Sequence, residues 1–147
     1  MNHKLKAITH QKGFTLIELM IVVTVLAILS TLGMRGYYSW NSSANVDVAT
    51  YFVERDFLSS ATQCYRMNRS YAPCNKAELV QYGLTENTPW DTSWTVSVSG
   101  NTFNISMPVP DATSGDRLAT RLNASQVEHI NNASYSGSNV TVAMVMP

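Results

Sequence analysis

Glu18 stands in a run, residues 14–34, that carries no other charge. If that run lies in lipid, a lone carboxylate there costs on the order of 2–4 kcal/mol, and such an acid is normally met by a cation. The chemistry it suits is a charge-assisted hydrogen bond to an ammonium group rather than catalysis. Cys64 and Cys74 are the only cysteines, and Tyr65, Arg66, Arg69, Tyr71 and Lys76 cluster around them. Cations interleaved with aromatic rings can neutralise the phosphates and stack the bases of single-stranded DNA. The same residues equally suit a solvated loop whose tyrosines turn into a core. His129 is the only histidine beyond residue 13, with His3 and His10 before it. A metal centre or a Ser-His-Asp triad needs companions that no spacing here supplies. Asp91, Asp111 and Asp116 follow no calcium-loop spacing. Asn-x-Ser triplets, as at Asn123 and Asn132, have the form of glycosylation acceptors, in a segment so rich in Asn and Ser that they arise readily by chance. No cofactor and no enzymatic activity are expected.

The elements that must position these residues begin with the apolar run. As a helix, residues 14–34 extend about 31 Å at ~1.5 Å per residue, enough to cross a bilayer core. A buried core helix is the alternative, but so small a domain has little with which to cover a helix that is apolar on every side. Lys4, Lys6 and Lys12 precede the run, with no acid among the first 13 residues. That asymmetry keeps the N-terminus cytoplasmic and sends the remainder across. Helical sequence follows the run directly, so an uncleaved span is expected rather than a secretory signal cut at its end. Beyond residue 13 lie seven of the ten basic and all ten acidic side chains, a formal charge of −3, which argues against broad nonspecific binding of nucleic acid.

Periodicity carries the helix onward. Val46, Ala49, Val53, Phe57, Ala61 and Cys64 recur at steps of three or four, one helical face. Asp47, Glu54, Arg55, Gln63 and Arg66 fall largely off it. One helix over residues 14–67 is therefore expected, apolar all round in its first half and amphipathic in its second. A short helix is expected over 76–82. Val96 and Val98, then Phe103, Ile105 and Met107, alternate about Gly100-Asn101, a hairpin signal. A short helix should begin near Ser114 with Leu118 and Leu122 inward. Val140, Val142, Met144 and Met146 mark another strand, its methionines filling core gaps. The fold class is α+β: a long N-terminal helix packed on a small antiparallel sheet of three or four strands.

The stretch GFTLIELMIVV, beginning at Gly13, resembles the N-terminus of type IV pilins and of the related pseudopilins of type II secretion. Lys12, Gly13, Phe14, Thr15, Leu16, Ile17 and Glu18 all fit that motif, and the resemblance fades beyond about residue 30. It implies a cytoplasmic leader of residues 1–13, removed by a prepilin peptidase that cuts after Gly13, and N-methylation of the new terminus at Phe14. Gly13 lacks a side chain, so extended backbone can enter a protease cleft closely. It further implies a transmembrane and filament-core half-helix over 14–35 and a globular head over 36–147. Phe14 and Glu18 become the assembly pair: the Phe14 amine of one subunit neutralises Glu18 of its neighbour in low dielectric. The implied partners are identical or homologous pilin subunits, the peptidase, an inner-membrane assembly platform and, before assembly, the membrane itself. The implied destination is a surface filament serving adhesion, motility or DNA uptake, whether as major or minor pilin. Alternatives are a type II secretion pseudopilin or a membrane-anchored periplasmic binding module. Members of the type IVa kind commonly carry proline where this chain has Arg35. Gly33 and Gly36 flank that position and leave the segment open to loosening, since glycine weakens a helix by about 1 kcal/mol against alanine.

An exported head meets an oxidising compartment, where Cys64 and Cys74 are expected to pair. The short loop so closed would stabilise the fold by roughly 2–3 kcal/mol in the chain-entropy treatment. Major pilins often carry their disulfide nearer the C-terminus. Here it would tie the end of the long helix to the connection that follows.

Overall fold

The computed structural model describes residues 15–147, apart from the side chains of residues 35, 38 and 39. The expected leader, Gly13 and Phe14 lie outside the described residues. The backbone forms two compact units that divide between Ser39 and Trp40, and helix α1, Leu16–Tyr51, contributes to both.

In the first unit no residue of Leu16–Met34 is buried. The hydroxyls that interrupt this apolar stretch are satisfied within the helix. Thr24 donates to the Ile21 carbonyl at 2.8 Å, Ser30 to Leu26 at 2.7 Å and Thr31 to Ile28 at 2.8 Å. Such back-bonding leaves no hydroxyl proton pointing unpaired into an apolar environment. Gly33 and Gly36 are both helical.

The second unit holds the core. The helix expected over 14–67 is present as three segments: α1, a π-helical turn at Phe52–Phe57, and α2, Leu58–Asn68. Phe52 and Val53 are consecutive yet both buried, as is Phe57. The wider π turn lets both neighbours reach the core where a regular helix would rotate one of them outward. The stripe of Val46, Ala49, Val53, Phe57, Ala61 and Cys64 is buried throughout. α2 closes on Arg69, whose φ of 57° is left-handed and whose N–H reaches the Tyr65 carbonyl at 2.7 Å, a common helix ending. Asn75 caps α3, Lys76–Gln81, by accepting from the Glu78 N–H.

The sheet is four-stranded and antiparallel, in the order β1-β2-β4-β3. β1, Thr95–Ser99, and β2, Thr102–Pro108, meet at the expected two-residue turn, with Gly100 at φ 59°. β3, Ile130–Ser136, and β4, Asn139–Val145, meet at Gly137 and Ser138, both at positive φ. The central pair β2–β4 sets Ile105 opposite Val142 and Phe103 opposite Met144. These residues, with Met107 and Val140, are fully buried. α4, Ala112–Ala124, connects β2 to β3 and buries Leu118 and Leu122. It begins before Ser114 because Asp111 accepts the Ser114 N–H at 2.8 Å and so caps it. Trp94 sits beneath the helical stripe, edge-on to Phe52 and Phe57, and its indole N–H donates to the Thr85 carbonyl at 2.8 Å.

At Gly115 α4 packs closely against β3. A methyl group built there would clash with the Tyr135 ring of β3. Gly115→Ala is therefore expected to lower stability by about 1–3 kcal/mol through overpacking, against the usual gain of alanine in a helix. Chemical denaturation of the full chain in detergent checks this, and adding Tyr135→Val should recover part of the loss.

Candidate assembly site at the start of the apolar helix

Thr15 precedes α1, and both its backbone N–H and its hydroxyl donate to Glu18 Oε2, at 2.9 and 3.0 Å. The Glu18 N–H reaches back to Thr15 Oγ1 at 3.4 Å. This reciprocal pair is a capping box: each side chain satisfies one of the N–H groups that the first helical turn leaves without a partner. Glu18 therefore has a partner in its own chain, which its cost in lipid does not by itself predict. The Thr-x-x-Glu spacing of residues 15–18 was the signal for one. The box fixes the rotamer of Glu18 and places an anion at the positive end of the helix dipole, but supplies no neutralising charge. Among the described residues the one ion pair is Arg121 with Asp47, between α4 and α1.

The disulfide expected between Cys64 and Cys74 is present, with Cα atoms 6.0 Å apart. It joins the end of α2 to the segment before α3. Within the last turn of α2 the Asn68 amide donates to the Cys64 carbonyl at 3.1 Å. The five residues singled out around this bridge separate in the structure. Tyr71 is buried, edge-on to Phe103. Burial, and secondarily the charge interaction with Tyr65, pushes its phenol up from the ordinary tyrosine value. Tyr65 stacks over Tyr71 with ring centroids 4.6 Å apart and keeps its other side in solvent. Lys76 donates to Ser93 Oγ at 2.6 Å and lies 5.0 Å from the centre of the Trp94 ring. Arg66 and Arg69 are exposed. The surface that remains is Tyr65, Arg66 and Arg69, joined by exposed Met67.

Other candidate residues have local structural work. Asp111 holds the start of α4, donated to by both the N–H and the hydroxyl of Ser114. Asp91 accepts from the Asn87 amide at 2.8 Å. Asn123 clips α4 to β3: its amide donates to the Ala133 carbonyl at 2.7 Å, and its oxygen accepts the Ala133 N–H at 2.8 Å. Asn123 thus has a structural role in joining α4 to β3. A His129 ring nitrogen, Nδ1, lies 3.2 Å from the Val145 carbonyl.

The described residues comprise an exposed, acid-tipped apolar helical stretch and a unit of helices packed on an antiparallel sheet. Residues 8–34 match the prokaryotic N-terminal methylation motif. The chain is 31% identical over 93 residues to the type IV wide pilus major component PilA4 of Thermus thermophilus, covering 63% of this chain and 69% of that protein. It is 39% identical over 67 residues to a fimbrial protein of Neisseria meningitidis, covering 46% of this chain and 38% of that one. A fimbrial protein of Moraxella nonliquefaciens is 40% identical over 58 residues, 40% of this chain and 36% of that protein. The chain spans well under half the length of these last two relatives. No solved structure matches it. The chain belongs to the type IV pilin family.

Proposed function

We propose that this protein is a structural subunit of a type IV pilus and performs no catalysis of its own. Its precursor sits in the inner membrane with the N-terminus cytoplasmic. Prepilin peptidase cuts after Gly13, the Phe14 amine is methylated, and an inner-membrane platform adds the subunit to a helical filament that serves adhesion, motility or DNA uptake. The observation that carries this reading is the wholly exposed apolar stretch Leu16–Met34 with a capped carboxylate at its start. In the membrane that stretch is covered by lipid; in the filament it would be covered by its equals. The repeated contact is then open and heterologous, as a non-closing helical operator requires. Glu18 would accept the Phe14 ammonium of a neighbour at one axial register only, because an unpaired charge in that core is costly.

The test is mass spectrometry of the chain purified from the membrane and from sheared filaments. The expected N-terminus is a methylated Phe14, and Gly13→Val should leave the precursor uncut. A mature chain that still begins at Met1 would reduce the helix to a tether.

A further inference from the structure

Two exposed surfaces of the second unit complement one another, and no other described residue covers either. The first is a groove of about 310 Å³ lined by Val48, Tyr51 and Asp56 together with Thr88 and Pro89 of the loop before β1. Val48 and Tyr51 are 54% and 62% exposed, on the side of α1 that helical spacing sets opposite the buried Val46 and Ala49. Asp56 is exposed and, among the described residues, has no cation paired with it. Its neighbour Arg55 lines a different groove, with Leu58 and Arg66. The second surface is the end of α2. Met67 is 70% and Tyr65 41% exposed, flanked by the exposed Arg66 and Arg69. The disulfide and the Tyr65–Tyr71 stack hold this end in one shape, which lowers the ordering cost of docking it.

The geometry points to a head-to-head contact between copies of this chain. Tyr65 and Met67 of one copy seat in the groove of Val48, Tyr51 and Pro89 on the next, with Arg66 and Arg69 facing Asp56. An apolar knob between two cations meets an apolar hole that carries an acid, and complementary charge of this kind fixes register and excludes wrong partners. The two surfaces differ, so the contact is heterologous and, where its rotation does not close, it propagates as a filament. The inference rests on the pilus reading and adds to it which parts of the heads touch.

Charge reversal tests it in cells that assemble the full chain. Asp56→Arg alone, and Arg66→Glu with Arg69→Glu, are each expected to cut sheared-filament yield about tenfold, and all three changes together to restore it to within about twofold. All positions are on the surface, so processing at Gly13 should not change and the head should still fold, with only the small loss of stability that acids at the end of α2 bring. Separately, Met67→Cys with Pro89→Cys in one chain is expected to give a disulfide ladder of copies in filaments. Full yield from the reversed variants, no rescue in the combined one, or a ladder-free double-cysteine filament overturns the contact while the pilus reading stands. Loss of single-stranded oligothymidylate binding in Arg66→Glu with Arg69→Glu, at unchanged filament yield, would assign that end to nucleic acid and also overturns it. An unaltered chain that is never cut and never forms filaments removes the pilus reading, and the inference with it.

Discussion

Glu18→Ala is expected to be cut, anchored and folded normally, yet recovered in sheared filaments at a small fraction of the unaltered yield. Two roles of the carboxylate would be lost together, and their magnitudes differ. Removing the capping box frees the Thr15 N–H at the frayed start of a long helix, an effect of about 1 kcal/mol. Leaving a neighbour's ammonium unpaired in a low-dielectric core costs about 3–5 kcal/mol, which is about two to nearly four orders of magnitude in an assembly constant. The second should dominate. Glu18→Gln separates them, because a Gln side chain at this position can still close the box but carries no charge. Quantitative immunoblotting of sheared filaments should show Gln assembling almost as poorly as Ala, while circular dichroism in detergent finds the helix of the Gln variant intact. Filament yields near normal for Gln would mean that the cap, and not the charge, is what Glu18 contributes.

Much of the fold was legible because burial imposes a period. The helical stripe at Val46, Ala49, Val53, Phe57, Ala61 and Cys64 and the alternating residues of β2 and β4 are all buried. Gly100-Asn101 gave its hairpin for the same local reason, a positive φ that glycine adopts without strain. β3 was not legible. Its burial pattern buries only Ala133 fully, and a register shift between Ile130 and Asn132 breaks what alternation there is. The strand forms because β4 offers it a ladder, not because its own side chains demand one. Spacing likewise could not separate Tyr65 from Tyr71: a chain reversal lies between them, and the disulfide closes it so that one ring enters the core and the other covers it. The π turn was hidden for a related reason. Phe52 breaks the three-and-four rhythm, and its burial depends on Trp94, which reaches the stripe from far along the chain. At the candidate site, the cost of an acid in lipid drew attention to Glu18, while the capping box depended on reading Thr15 and Glu18 together.

The largest expected stability effect lies at Phe57. It is fully buried in the π-helical turn, edge-on to Trp94 at 6.3 Å and to Phe103 at 5.4 Å between ring centres. Phe103 in turn meets Tyr71 at 5.4 Å, and Tyr71 carries Tyr65. The ring of Phe57 therefore joins the helix to β2, to Trp94 and, through Phe103, to the disulfide-closed segment. Phe57→Ala should cost about 3–5 kcal/mol, the loss of a buried aromatic side chain plus the cavity it leaves, with edge-to-face contacts adding to that burial. Against a whole-domain stability of about 5–15 kcal/mol, such a loss brings the head close to its unfolding threshold. Denaturant melts of the full chain in detergent, followed by tryptophan fluorescence, should give a midpoint far below that of the unaltered protein. Phe57→Leu should lose much less, since it keeps most of the volume. Equal losses for Ala and Leu would mean that the edge-on aromatic geometry, rather than filled space, is what holds the helix on the sheet.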